Sequence, residues 1–435
     1  MKILLVNPPN CGKSIPEERY GIEAIKMIFC GEPLSLETLA GNLNGHDVAI
    51  ADLKMDPAAL DDVNLAFKPD LVGLTGVTCE ANTVLSIAAE LKSRFNVPVV
   101  VGGHHASGDP VFFKRPFIDY VVVGLGKLSF RELVDSLENG LPVQIPGIHC
   151  NADAQGSAFV PRPYSIADLV DQKAPRYDLV ARHRDRYVMR GAGGRVGFVA
   201  TAAGCTHGCS FCSISSLTGA KYLANSHDSV LRDMRILDDV PVIRLVDANT
   251  FGDVSTAEAL AYKIITAGIQ KRLVADVRAD TVVRHPDLFR LWHKAGLAIV
   301  VIGFEEISDQ RLKAFNKRST HRTHLEAIQI LKSMGIRIVG DFIVSPDYEH
   351  EDFERLTDFV EQSGIDLPIP AVLTPLPGTP LYRKLRSQIT VHDLDYYTFT
   401  NAVLPTRMPE EDFYRSYAEM LKRFLGHLHG NTGAK

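Results

Sequence analysis

A chain of 435 residues is too long for one ordinary core and calls for two or three domains, and its 46% apolar and 23% charged residues are the proportions of a globular protein. The 47 Lys and Arg against 52 Asp and Glu leave a formal charge of −5, which excludes bulk electrostatic binding to nucleic acid or an anionic membrane. No apolar run reaches the ~18 residues of a spanning helix, and Met1–Asn7 is too short for a signal peptide. The expectation is a cytoplasmic chain without a transmembrane segment. Seven cysteines, three of them within eight residues, suit a metal site in a reducing compartment better than a disulfide scaffold.

In chain order, Ile3–Asn7, Asp47–Asp52, Asp70–Thr75, Pro98–Gly102 and Tyr120–Val123 are short, bounded apolar runs that predict strands. Helical spacing fills the gaps at Ser35–Leu43, Glu80–Phe95 and Ser129–Leu137. Near-continuous apolar strands alternating with helices predict a parallel sheet covered on both faces, a doubly wound Rossmann-like domain over residues 1–144. Its ligand belongs at the carboxyl ends of the strands. Residues 145–195 lose the rhythm and read as a solvated linker. Their cluster of Arg176, Arg182, Arg184, Arg186, Arg190 and Arg195 offers the sharper alternative of an arginine facing an anionic group.

Alternation restarts at Val196, with strands expected at Val196–Thr201, Val242–Asp247, Arg272–Asp276, Ala298–Gly303, Arg337–Ile343 and Ile369–Leu373. Six β/α units over residues 196–388 predict a partial (β/α)6 TIM-type barrel with its site at the strand C-termini. Residues 389–435 form a small α-helical segment from Pro409, whose Phe413, Tyr417, Met420, Leu421, Phe424 and Leu428 fall on one face. A helix docked on the barrel is expected, with a lid or a membrane-surface helix as alternatives.

Gly204-Cys205-Thr206-His207-Gly208-Cys209-Ser210-Phe211-Cys212 directly follows the first barrel strand. Three thiolates on one loop can converge on one cluster face, and a 4Fe–4S cube needs a ligand for each iron. Cys205, Cys209 and Cys212 therefore leave one iron open as a Lewis acid that a small molecule can chelate. Zinc with His207 as fourth ligand is the alternative, although structural zinc sites usually pair two knuckles and no second Cys-x-x-Cys follows. Cys11, Cys30, Cys79 and Cys150 read as incidental thiols.

Cys-x-x-x-Cys-x-x-Cys with an aromatic before the last cysteine, after the first strand of a β/α barrel, resembles the radical S-adenosylmethionine (radical SAM) enzymes. Asp247-Ala248-Asn249, Arg278-Ala279-Asp280, Gly303-Phe304-Glu305, Asn316-Lys317, Gly340-Asp341-Phe342-Ile343 and Leu373-Thr374-Pro375 agree with it in order. The resemblance implies that SAM chelates the open iron and is cleaved reductively to methionine and a 5′-deoxyadenosyl radical. It also implies that Asp247 and Asn249 accept hydrogen bonds from the SAM ammonium, Arg278 pairs with its carboxylate and Glu305 holds the ribose. Phe211 and Ile343 complete that set, with Phe211 packing on adenine or covering the cluster. Ser345 stands where the family commonly has glycine.

In the first domain, Asn7-Pro8-Pro9, Gly102-Gly103-His104-His105 and Gly124-Leu125-Gly126-Lys127 follow the first, fourth and fifth strands. In this order they resemble the cobalamin-binding domain of cobalamin-dependent radical SAM enzymes. Asn7, Pro8, Gly102, Gly103, His104, Gly124 and Gly126 are then the cobalamin-binding set, with glycines admitting a bulky ligand to the backbone. The Asp-x-His-x-x-Gly motif of many cobalamin proteins is absent, and Gly-Leu-Gly-Lys replaces the family's usual Gly-Glu-Gly-Glu. The implied function is methyl transfer to an unactivated carbon of a small-molecule substrate, with electrons from a flavodoxin or ferredoxin. Oxidative cyclisation, hydroxylation or rearrangement on the same architecture, with or without cobalamin, or a non-catalytic cluster or cobalamin sensor, are the alternatives.

Overall fold

The computed structural model describes residues 1–23, 29–61, 67–152, 158–169, 173–189 and 191–431. Its first sheet has six strands: β1 (Lys2–Asn7), β2 (Asp47–Asp52), β3 (Leu71–Thr75), β4 (Val99–Gly102), β5 (Tyr120–Val122) and β6 (Ile148–Cys150), in the order β2-β1-β3-β4-β5-β6. The first five run parallel, with Ile3 opposite both Val48 and Leu71. The two-residue side-chain period then sends Ile3 and Leu5 to one face and Leu4 and Val6 to the other. Helices α1 (Leu34–Gly41) and α4 (Lys127–Glu138) cover the Ile3 face through Leu36, Ala40, Phe130 and Leu133. Helices α2 (Ala81–Phe95) and α3 (His104–Gly108) cover the other through Val84, Ala88, Leu91 and Ala106.

The stretch expected to be a linker is built into the fold. Ile148–Cys150 pairs antiparallel with β5, Tyr120 opposite Cys150, and Val188–Met189 pairs with Phe29–Cys30. These edges of two or three residues are too short to show a periodicity. The arginines serve the fold as well: Arg184 is buried against Glu32, Arg186 donates to the Met55 carbonyl, Arg176 pairs with Asp178 and Arg195 with Asp239. The Arg182 Nε donates to His183. Arg190 lies outside the described residues.

The second sheet comprises β7 (Val196–Val199), β8 (Val242–Leu245), β9 (Arg272–Val277), β10 (Leu297–Glu305), β11 (Arg337–Val344) and β12 (Leu367–Val372), all parallel and in chain order from edge to edge. Because β7 and β12 do not pair, the barrel is a partial one, open along that seam. Helices α5 (His227–Ile236), α6 (Val254–Thr266), α7 (Ala279–Arg284), α8 (Pro286–Lys294), α9 (Asp309–Ala314), α10 (His321–Ser333), α11 (His350–Ser363) and α12 (Pro380–Leu385) follow the strands. Outward-facing Leu273, Ala275 and Val277 pack under this layer with Leu260, Ile264, Phe289 and Trp292. Inward-facing Phe198, Val274, Val301 and Val339 belong instead to the apolar cluster of Ile3, Leu5 and Leu36, joined through Val180, Tyr187 and Met189. The first domain and the connecting stretch thus share one apolar cluster with the barrel interior.

Helix α13 (Glu410–Asn431) docks on α11, burying Phe413, Tyr414, Tyr417, Met420, Leu421 and Phe424. The Tyr417 hydroxyl donates to the Pro370 carbonyl over 2.9 Å, and Arg423 bridges Glu354, Asp358 and Glu361. The apolar stripe is therefore covered by the barrel; the Leu428 side chain lies outside the described residues. Ahead of it, Asp393 and Asp395 receive Lys13 and Asn82 of the first domain, and Asn401 accepts from the Ile15 amide. No described helix is long and apolar enough to cross a membrane.

Candidate active site between the two sheets

The cysteine loop leaves β7 under tight restraint. Asp247, just past β8, accepts from the Thr201 amide (2.8 Å), the Ala202 amide (2.9 Å) and the Thr201 hydroxyl (2.6 Å). Gly204 follows with φ +84°, where an added Cβ would lie 2.2 Å from the Lys221 carbonyl oxygen, so only glycine fits. Ser210 then donates its amide to Phe315 (2.9 Å) and accepts from the Leu381 amide (2.8 Å), while the Asn316 amide group holds the Gly208 carbonyl (2.7 Å). Cys209 is buried and Cys205 and Cys212 are half-buried; none is in a disulfide. Burial raises the Cys209 thiol, opposed by the Lys317 and Arg278 cations, and burial pushes Cys212 up to about 11.

No three His, Cys, Asp or Glu side chains among the described residues stand close enough to share one metal ion. A zinc ion would draw its ligands into a tetrahedron with bonds of about 2.3 Å, whereas a cube spreads its cysteines over separate irons. With three cysteines and no second Cys-x-x-Cys, the loop offers a cube three of its four corners.

Beside the loop, Arg278, Glu305 and Lys317 meet. The Arg278 Nε donates to Asp280 (2.9 Å) and its Nη2 to the Lys317 carbonyl (2.7 Å), and the Lys317 Nζ pairs with Glu305 (2.7 Å). Glu305 sits in the left-handed region at φ +67°, an expense of order 1–3 kcal/mol that a non-glycine residue carries where the surroundings dictate it. Its side chain folds back over Gly303, where a Cβ would lie 2.2 Å from the Glu305 Oε1. Asn249 is 3% exposed and its Oδ1 has no partner among the described residues, a buried acceptor without a donor there. Asp247, expected beside it as a second acceptor, is turned into the loop backbone with both oxygens engaged. Ile343 packs with Phe315, Leu373 and Leu381, and Phe211 lies edge-on to Phe315 at 5.5 Å.

Two strand-borne groups went unassigned in the sequence. Arg244 pairs with Asp276 inside the barrel, and Asp341, opposite Gly303 in the register, faces the same lumen without a hydrogen-bonding partner among the described residues. Burial first, then the neighbouring Glu305 and Asp276, push Asp341 up to about 8, so it is largely protonated at neutral pH. A folded-state pKa above the unfolded value means stability present at low pH and lost as pH climbs through about 8. Asp341→Asn, which mimics the protonated form, is therefore expected to flatten the loss of thermal stability between pH 5 and pH 8. The flattening should approach about 1 kcal/mol per pH unit, and parallel melting curves for the two proteins would refute it.

Between the sheets lies a cavity of about 430 Å³. On the first-domain side it is lined by Gly102, Gly103, His104, Gly124 and Gly126 at the carboxyl ends of β4 and β5. The barrel side contributes Ala200, Ala202, Val246 and Ala248. A Cβ at Gly102 or Gly126 would meet nothing closer than 3.4 Å, so these two glycines keep open space that a side chain could fill. Asn7 and Pro8 do not line the cavity; the Asn7 amide is spent on Asp52 (2.8 Å). His105 is buried against Phe112 and Phe113, while His104 is exposed and lines the cavity. The Gly-Leu-Gly-Lys variation has a structural cause: Leu125 packs with Tyr164, Leu169 and Leu223, and Lys127 donates to the Asp168 carbonyl (3.3 Å).

Residues 199–360 match the sequence profile of the Radical SAM superfamily, and residues 24–134 that of the B12 binding domain. The chain is 31% identical to an uncharacterised methyltransferase of Pyrococcus horikoshii, over 88% of this chain and 82% of that one. It is 29% identical to the hopanoid C-3 methylase of Methylococcus capsulatus, over 89% and 75%. At 26% it also resembles an anaerobic magnesium-protoporphyrin IX monomethyl ester cyclase of Synechocystis, over 82% and 70%. In fold it is similar to the radical SAM methyltransferase TsrM of Kitasatospora setae, solved with tryptophan and a SAM analogue, with a TM-score of 0.74 at 18% identity over 97% and 89% of the two chains.

Proposed function

The chain belongs to the radical SAM enzymes that carry a B12-binding domain, and from that premise we propose that it is a cobalamin-dependent methyltransferase acting on an unactivated carbon of a small-molecule substrate. The observation that carries the proposal is the shared cavity. The glycine turns face barrel residues across it, and Gly204 and Ile214, which flank the cysteine loop, line it as well. When bound, the cluster supplies an electron to SAM and cobalamin supplies a transferable methyl group.

Cys205, Cys209 and Cys212 would hold three irons and leave the fourth for SAM. The unpartnered Asn249 Oδ1 suits the SAM ammonium, a task the engaged Asp247 leaves to it. Arg278, held by Asp280 and the Lys317 carbonyl, would pair with the SAM carboxylate, and Glu305, held by Lys317, would bind the ribose hydroxyls. Phe211 and Ile343 would enclose the adenine. The apolar seam between the sheets keeps water from a radical formed there. An oxygen-sensitive cluster that needs a reductant supports a cytoplasmic enzyme, with a flavodoxin or ferredoxin as its electron donor.

The cyclase relatives favour one second reading, oxidative cyclisation on the same scaffold. Anaerobically reconstituted enzyme, given cobalamin, reductant and methyl-deuterated SAM, is expected to release both 5′-deoxyadenosine and S-adenosylhomocysteine and to retain label on the corrinoid. Deoxyadenosine without S-adenosylhomocysteine would move the assignment to cyclisation, and absence of both would overturn it.

A further inference from the structure

The outer side of the cysteine loop reaches solvent, Thr206 and Gly208 being exposed. Two elements are hydrogen-bonded to that loop, and both present cations. The end of α9, tied on through Phe315 and Asn316, carries exposed Lys313 and Arg318. Helix α12, tied on through Leu381, carries exposed Arg383 and Lys384, and Arg386 follows it. Among the described residues none of these five has an ion-pair partner; Arg383 alone makes a hydrogen bond, to the Gly378 carbonyl. The acids in the adjoining groove are already matched: Asp347 with Arg311, Asp352 with Arg355, and Glu306 with the Tyr348 hydroxyl. In a chain of net charge −5, five uncompensated cations around one loop are a local reversal of sign.

We propose that this rim is the docking surface for an acidic one-electron carrier protein of the flavodoxin or ferredoxin type, which delivers its electron through the exposed edge at Thr206 and Gly208. The inference rests on the iron–sulfur reading of the loop. In the step the reduced carrier loses one electron and the cluster gains it; no covalent bond forms or breaks. Opposite charge raises the encounter rate of such partners and salt removes the gain. Affinity carried by five surface cations should therefore fall steeply with ionic strength.

The test uses cluster-loaded enzyme and a strongly acidic bacterial flavodoxin. In the variant Lys313→Glu/Arg318→Glu/Lys384→Glu, cluster reduction by reduced flavodoxin at low salt is expected to slow by about tenfold or more, and flavodoxin binding, read by fluorescence anisotropy, to weaken in parallel. Photoreduction by neutral deazaflavin, which needs no docking, should proceed as in the parent, and Arg415→Glu/Lys422→Glu on the distant α13 should behave as the parent throughout. Unchanged flavodoxin affinity and rate in the triple variant would overturn the proposal. A loop that binds no iron at all would instead overturn the iron–sulfur reading, while the anisotropy measurement still decides the docking surface.

Discussion

Cys209→Ala is expected to reduce iron and sulfide content and the visible cluster absorbance to background, and to abolish deoxyadenosine formation. A cube held at three corners depends on each: with Cys209 gone, two irons lack protein ligands and the assembly has no rigid seat. The loop itself should survive, because it is held by Asp247, Phe315, Leu381 and Asn316 and not by the thiols. Loss of one buried sulfur costs only about 1 kcal/mol. Cys150→Ala provides the contrast, since Cys150 sits on the edge strand β6 away from the loop and should leave iron content intact. A Cys209→Ala protein that keeps a full complement of iron and its spectrum would remove the foundation of the functional assignment.

Arg184→Leu is expected to destabilise the protein by about 3–5 kcal/mol without touching the cofactor residues. The Glu32 side chain is 0% exposed and accepts from both Arg184 and the Phe198 amide (2.8 Å). Glu37, equally buried, lies against Glu32 with no cation of its own among the described residues, and burial beside Glu32 raises its pKa well above the ordinary range. Removing the guanidinium strands Glu32 without its cation, the circumstance in which breaking a buried pair is most damaging. Burial already raises Glu32 to about 7 despite Arg184. A raised folded-state value means stability that is lost as pH rises through it, and without Arg184 the value climbs further. The variant should therefore lose more at pH 8 than at pH 6 in denaturant unfolding, and adding Glu32→Gln should restore part of the loss. A change under about 1 kcal/mol at both pH values would show that the apolar seam alone holds the junction.

The alternation of apolar strands and amphipathic helices was legible because buried parallel strands are near-continuous apolar runs, as in Ile3–Val6 or Leu297–Ile302. The cysteine spacing was legible because three thiols so close have few other uses. Ile148–Cys150 escaped because three residues on a sheet edge carry no period, and Arg184 because its partner Glu32 lies 152 positions away. Asp247 shows the same non-locality: its carboxylate is engaged by Thr201 and Ala202 across the strand gap, while the Asn249 Oδ1 has no partner among the described residues. Lys317 and Asp341 stood inside recognised stretches, yet their roles depend on the left-handed bend at Glu305, which no residue type there announces.

The ties from Asp393, Asp395 and Asn401 back to Lys13, Asn82 and Ile15 bear on how a bulky guest gets in. They tie the segment after the barrel back onto the first domain, beside a junction packed with apolar side chains. Until they latch, a nascent chain can present the glycine turns of the first sheet unobstructed. Afterwards the same turns face the barrel across the cavity, so a corrinoid held there would be retained by both halves, and a chain cut short before residue 393 should release it readily.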